Sequence, residues 1–445
     1  MATNAVLEAD ARPTKQFFIE NLTRDLSLED AILDLVDNAI DAFIRTRHID
    51  VSPALLQQPS SSEVPLVIRV RLSSDEFSIE DDCGGMDLDH AQHQIFRFGR
   101  PAGSYESSLG IYGIGLKRAL FKIGEHIDIV SRTMDSGFRI SIDVPVWATD
   151  DASWTFPLEP IAGAAEPSQA GTTITIRNLT PAVQMRLGDG TLLKRLSSFI
   201  ASTYALFLSK HLGVALNGVP IVAQSLPLAE TAALPSNSRT LEMDNVTVSL
   251  VAGLQERQND EWNAERAGWY VLCNGRLVVS ADKTDLTGWG LGGPSFVSKH
   301  RGFLGIAFFF SADPARLPWT TTKRGLNRDS AVYQLVRKEM SALARPVLSF
   351  LNSFYPSDPD ETKPAREVVE TLQRANLGQV VARSQQSFPS VVPKRKGRRT
   401  TVSVQFEAER AAIERIRRKI GKPTWSAGAI GRYAFDHYMQ TECPE

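Results

Sequence analysis

The chain has 445 residues, 42% of them hydrophobic, enough for two or three packed domains. Its formal net charge of −2 gives no global footprint for nucleic acid, so any such affinity must come from a local basic patch. Cys83, Cys273 and Cys443 lie too far apart for a disulfide framework or zinc-ligand spacing. The start, MATNAVLEADARPTKQ, has no apolar signal core, and the longest apolar run, GIAFFF, suits a buried strand rather than a membrane span. A soluble cytoplasmic protein (nuclear in a eukaryote) without a membrane partner is expected.

In chain order, the pattern predicts a helix from Thr23 to about Arg45, then a polar gap over Val51–Glu63. VPLVIRVRL alternates like a strand, and FSIEDDCGGM is a second strand running into a glycine turn. A short helix around Ala91–Phe98, the loop GRPAGSYESS and a glycine-rich helix entry, LGIYGIGLKRALFKIG, follow. HIDIVSRTM, FRISIDVPV and GTTITIRNL then read as strands, so residues 1–182 are expected to form an α+β sandwich on a largely antiparallel sheet. A second α+β domain is expected over 183–355, opening with one helix from Leu192 to about Leu212 and closing with another from Ser330 to about Phe354. Residues 356–398 read as a linker, partly helical in the middle, ending in a basic run, and 399–445 as a small β-α-α module.

Along the helix that holds LDLVDNAIDA, the helical period puts Asp30, Asp34, Asp37, Asn38 and Asp41 on one stripe, opposite Ile32, Val36, Ala39, Ile40 and Phe43. The plain interpretation is a solvated acidic face. Four like charges at helical neighbours repel, however, and a bound divalent cation or a base positioning water would account for them. Asn38 adds a neutral oxygen of the kind a hard metal such as Mg²⁺ accepts. Asp81 ends a strand beside Gly84 and Gly85, where its carboxylate is able to accept from an exocyclic amine; an ordinary acidic turn has the same composition. Gly110, Gly113 and Gly115 precede Leu116, Lys117 and Arg118 at a helix start, which favours an anion through backbone N–H groups and the helix dipole. The order is not that of a Walker A loop.

Acid-xxx-Asn on a helix, a strand ending Asp-x-x-x-Gly, then GxxGxG entering a helix resembles, in that order, the GHKL (Bergerat-fold) ATPases. This family includes the gyrase B subunit, MutL, the MORC proteins, Hsp90-type chaperones and histidine kinases. Gly171-Thr172 on a later strand extends the resemblance, which covers about residues 20–180. It implies ATP and Mg²⁺ as cofactors, with Asn38 ligating the metal, Asp81 holding the adenine amine, Gly85 and Met86 shaping the adenine pocket, and Thr172 supporting Asp81. It further implies that Gly110, Gly113, Gly115, Leu116 and Lys117 cradle phosphates under a lid from about Phe98 to Ile111. Asp34 stands where hydrolysing members carry a glutamate as general base. Two departures stand out: Asp34 is a methylene shorter than glutamate, where a misplacement of about 1 Å costs roughly 10²-fold in rate, and Cys83 replaces a glycine of the adenine turn.

In the gyrase, MutL and MORC branch a transducer domain returns a loop lysine to the γ-phosphate. Lys323 in LPWTTTKRGLNRDS matches that place, beside the simpler interpretation of a basic loop capped by Asp329 or Ser330. The tail, with Arg398 and Arg399 closing a basic run, TTVSVQF and two helices, resembles a ribbon-helix-helix dimer. That resemblance would turn Thr401, Ser403 and Gln405 to base edges; the alternative is a dimerisation or docking tail. The expected function is an Mg-dependent ATPase acting as an ATP-gated homodimeric clamp or switch on DNA. The alternatives are an ATP-sensing DNA-binding regulator with little turnover, or an Hsp90-like chaperone.

Overall fold

The computed structural model describes residues 13–57, 65–99, 109–110, 113–209, 212–290, 294–354, 363–389 and 407–443. They fall into two compact units, 1–391 and 392–445. The first unit opens with helices α1 (Lys15–Thr23) and α2 (Leu28–Thr46). Ser27 caps α2 by accepting from the Asp30 amide, and Glu29 and Asp30 favour its first turn through the helix dipole.

Strands β1 (Leu66–Leu72), β2 (Glu76–Asp81), β3 (Gly124–Arg132), β4 (Gly137–Asp143), β5 (Leu158–Ile161), β6 (Gly171–Leu179), β7 (Leu212–Leu216) and β8 (Val219–Pro220) form one sheet, ordered β5-β4-β3-β6-β2-β1-β7-β8. Alternate residues such as Ile68, Phe77, Ile79, Ile127, Ile129, Ile174 and Ile176 are buried, while Arg177 on the other face pairs with Glu76 and Asp128. That period-2 alternation explains why one side of an antiparallel sheet carries helices and the other faces water. The sheet crosses the boundary expected at residue 182. β7 adds parallel to β1, so 212–220 completes the first sheet rather than opening the second domain. The helix expected over 192–212 is two helices, Leu192–Thr203 and Ala205–Leu208, broken at Tyr204, whose side chain is fully buried.

The second sheet holds β9 (Leu228–Glu230), β10 (Asn237–Met243), β11 (Val246–Gln255), β12 (Gly268–Cys273), β13 (Arg276–Asp282), β14 (Phe303–Phe310) and β15 (Gln373–Arg374), ordered β13-β12-β14-β11-β9-β15 with β10 on β11. Every residue of β14, which holds the GIAFFF run, is buried. The Ala331–Phe354 helix packs on β11 and β14. Residues 363–389 are partly helical, as expected, but they are docked on the second sheet rather than a free linker. They form the Lys363–Glu370 helix, the strand β15 paired with β9, and the Leu377–Ala382 helix, with Val369, Val380, Val381 and Phe388 buried. In the second unit, the helices Arg410–Ile420 and Ala427–Glu442 are joined through Gly421 at φ 68° and a Ser426 cap.

One feature carried no sequence signal: Lys15 is 1% exposed. Its Nζ donates to the Trp147 carbonyl at 2.8 Å and lies 4.1 Å from the Trp147 ring centroid. The surrounding aromatic cluster is centred on Phe98, which meets Phe18 at 4.9 Å and Trp154 at 5.7 Å. Replacing the ammonium while keeping the stem, as in Lys15→Met, is expected to lower stability by about 1–2 kcal/mol and shift tryptophan emission. Thermal melts followed by fluorescence check this, and an unchanged midpoint and spectrum would show that the contact carries no weight.

Candidate functional site

The stripe on α2 is not solvated. Asp34, Asp37 and Asp41 are buried, and of the five stripe residues only Asn38 is exposed. Each acid has its own partner. Arg324 pairs with Asp30. Arg118 donates from Nε to Asp34 Oδ2 at 2.7 Å, and its Nη2 lies 2.7 Å from the same oxygen. Asp41 accepts from the amides of Leu109 and Gly110 at 2.9 and 3.0 Å, tying the loop that approaches the Gly115–Ile123 helix to α2.

Asp37 has three partners: Tyr204 Oη at 2.6 Å, Arg276 Nε at 2.9 Å and Lys323 Nζ at 2.6 Å. Burial alone would raise this carboxyl. The charges of Arg276 and Lys323, with hydrogen bonds from Lys323 and Tyr204, outweigh burial and hold it below the usual carboxylate range. A divalent cation is therefore not needed to explain the crowding of acids. Among the described residues, no group of three His, Cys, Asp or Glu side chains is arranged to hold a metal.

Above the stripe lies a cavity of ≈220 Å³. Asp34, Asn38, Asp81, Met86, Gly110, Gly113, Gly115, Leu116, Lys117, Thr172 and Lys323 all line it, and of the expected nucleotide residues Gly85 alone stands behind the wall. Its role there is backbone approach. With φ at 72°, a Cβ on Gly85 would sit 2.1 Å from the Arg132 carbonyl oxygen, so only glycine lets the turn lie against β3. Thr172 pairs with Asp81 across β6 and β2, and its hydroxyl meets Ser131 Oγ at 2.8 Å, while the same Ser131 oxygen accepts from the Met86 amide.

Lys117 reaches back rather than outward. Its Nζ donates to the carbonyls of Ile95 and Arg97 at 2.9 and 2.8 Å, and to that of Gly113, and it lies 5.8 Å from the Phe98 ring. Asn38 presents its side chain at the floor, as a ligand for a metal carried in by phosphates requires; Mg²⁺ is commonly held by one or two protein oxygens plus phosphate. Of the expected lid, only 98–99 and 109–110 belong to the described residues, and Arg398, Arg399, Thr401, Ser403 and Gln405 lie outside them.

Two partners of the buried stripe have no signal in the sequence. Arg118 and Asp41 stand within the motifs, but nothing local marks Tyr204 or Arg276, which bind Asp37 from behind the cavity and lie 167 and 239 residues from it. Arg45 also lines the cavity and donates to the Gly85 carbonyl at 3.1 Å.

Residues 26–172 match the family model described as histidine kinase-, DNA gyrase B-, and HSP90-like ATPase. That span nearly coincides with the region carrying the four motifs. Among curated proteins, none matches the chain.

Burial pushes the Asp81 carboxyl up to about 7, against hydrogen bonds from the Cys83 and Thr172 backbone that pull it down. Between the ordinary 3.8 and about 7 the folded protein thus holds a proton that the unfolded chain has lost. Stability contributed by Asp81 is present below that window and falls as pH rises through it. Asp81→Asn, which mimics the neutral acid, is expected to match the parent below the window and exceed it in stability above. Urea unfolding across that pH range reads this out, and parallel profiles for the two proteins would refute it.

Proposed function

We infer, starting from the ATP-binding domain that the family match gives to residues 26–172, that the chain is an Mg-dependent ATP hydrolase working as an ATP-gated dimeric switch. One observation carries this reading. The side chains of Asn38, Asp81 and Thr172, the N-terminus of the Gly115–Ile123 helix and Lys323 from the second sheet's domain converge on a single cavity. Asp81, when ionised, accepts from the adenine amine, with the Thr172–Ser131 pair fixing the wall behind it. The helix N-terminus faces the phosphates, where the helix dipole favours anions, and Lys117 braces the Ile95, Arg97 and Gly113 carbonyls beside it. Asn38 would hold Mg²⁺, which when bound supplies charge neutralisation to the phosphates.

Asp34 has one oxygen bound by Arg118. The other, Oδ1, accepts no hydrogen bond among the described residues and is available to take the proton of an attacking water. The charged side chains that line the cavity favour an anionic guest. Arg45, Lys117, Arg118 and Lys323 line it against Asp34, Asp41 and Asp81, so four cations meet three carboxyl groups.

Arg118 on Asp34 also favours the second reading, an ATP sensor with little turnover, because the guanidinium already occupies one of the two carboxylate oxygens and fixes the side chain. Asp34→Asn separates the two. A hydrolase loses roughly 10²-fold or more in kcat in this variant while its ATP affinity by calorimetry is kept. Equal phosphate release by variant and parent would remove Asp34 from the chemistry.

The C-terminal unit supports dimer and DNA roles. Among its described residues only Ile430 is buried, while Tyr433, Phe435, Tyr438 and Met439 are exposed. Two such helices need a second copy or a partner to cover that surface. The run Lys394–Arg399 would then meet phosphates, with 401–405 at the bases. Removal of residues 394–445 is expected to abolish DNA binding and its steep salt dependence. A titration at several salt concentrations tests this, and undiminished binding by the truncated chain would assign any DNA contact elsewhere.

A further inference from the structure

Lys323 and Arg276 both rest on Asp37, and the two cations are joined to one another. Arg276 Nη1 donates to the Lys323 carbonyl oxygen at 2.6 Å while its Nε holds Asp37. Lys323 sits at φ 55°, an uncommon conformation for a side-chain-bearing residue, and its ammonium borders the cavity. The cluster is buried throughout: Asp37, Lys323, Arg276 and Tyr204 are each below a tenth exposed. One carboxylate therefore serves two cations, and the cluster holds one positive charge more than it needs.

That surplus decides which bond can be given up. Removing the sole cation from a buried carboxylate leaves an uncompensated charge and is strongly unfavourable. Asp37 is not in that position, because Arg276 and the Tyr204 hydroxyl would remain on it after Lys323 had left. The reverse exchange is barred, since Arg276 also anchors the Lys323 backbone and does not line the cavity.

We propose that Arg276 is a positioning residue: it is the stationary counter-charge that lets Lys323 leave Asp37 for the terminal phosphoryl group of a bound nucleoside triphosphate and return once that group is gone. Asp37 is the parking site. This rests on the nucleotide reading of the cavity given above, and it adds the element that makes the lysine movable. No covalent step is involved; the exchange is of one ion pair for another.

The test compares affinities for a non-hydrolysable ATP analogue and for ADP in the full-length chain, by calorimetry with Mg²⁺. In Arg276→Gln, Lys323 and Asp37 form a balanced one-to-one pair, so the fold is expected to persist. ADP affinity should stay within about twofold, while analogue affinity falls roughly tenfold or more. Adding Asp37→Asn to that variant frees the lysine and should recover most of the triphosphate preference. Arg276→Lys, which keeps a charge on Asp37, should retain it too, and it stands in if the glutamine variant does not fold.

Equal losses of ADP and analogue in Arg276→Gln, or no recovery in the double variant, would show a merely structural arginine and overturn the proposal. A parent protein with no affinity for either nucleotide would instead overturn the nucleotide reading itself.

Discussion

The structure turns on the burial of an acidic helix. A carboxylate taken out of water without a partner is costly by several kcal/mol, and α2 buries Glu29, Asp34, Asp37 and Asp41 on one nineteen-residue helix. Satisfying them organises the molecule. Glu29 is met by Arg186 and Arg195 from the segment after β6, and Asp34 by Arg118 from the neighbouring helix. Asp41 gathers two amides of the loop, and Asp37 reaches across to Tyr204, Arg276 and Lys323. The second sheet's domain thus lies against the first partly because Asp37 needs its cations. Apolar packing alone would tolerate other registers; a buried charge with fixed partners does not.

Asp81 obeys a different rule. Its hydrogen bonds come from backbone, and burial leaves it with a raised pKa near 7. A group so poised gains from a ligand that donates to its ionised form, whereas Asp37 already has more donors than it needs. The cavity therefore has two ends of opposite character: a desolvated acceptor beside the glycine turn, and an excess of cations near Lys117 and Lys323. An adenine amine and a polyphosphate match those ends in that order.

Much of this was legible in the sequence, for physical reasons. The period of α2, the alternation of the strands and the glycines at Gly85 and Gly113 are local signals, and local backbone rules enforce them. The pairing partners were not legible. Arg276 and Lys323 lie 239 and 286 residues from Asp37, and no pattern along the chain marks an arginine at a strand start as the counter-ion of a distant helix. The stripe could equally have faced solvent until those partners were known. Residues 363–389 misled because short amphipathic helices rich in charge have the composition of a linker, although a few buried residues such as Val380 and Phe388 suffice to dock them. β7 escaped for a related reason. Its parallel pairing with β1 joins strands 146 residues apart, from Leu66 to Leu212, and parallel neighbours carry no hairpin turn between them.

The two arginines of the site meet at one loop. Arg118, bound to Asp34, lies 3.4 Å from the Thr321 carbonyl oxygen, and Arg276, bound to Asp37, lies 2.6 Å from that of Lys323. Backbone carbonyls two residues apart are thus held by side chains that answer to two different carboxylates on the same helix. A displacement of Lys323 alters the segment that Arg118 also contacts, and a change at Asp34 is felt at the lysine loop. Coupling between chemistry and domain position needs a physical element that both ends bias, and the 321–323 segment has that form. The contact between the two sheets and the Asp34 carboxylate are then parts of one ion-pair network rather than two devices joined by chance.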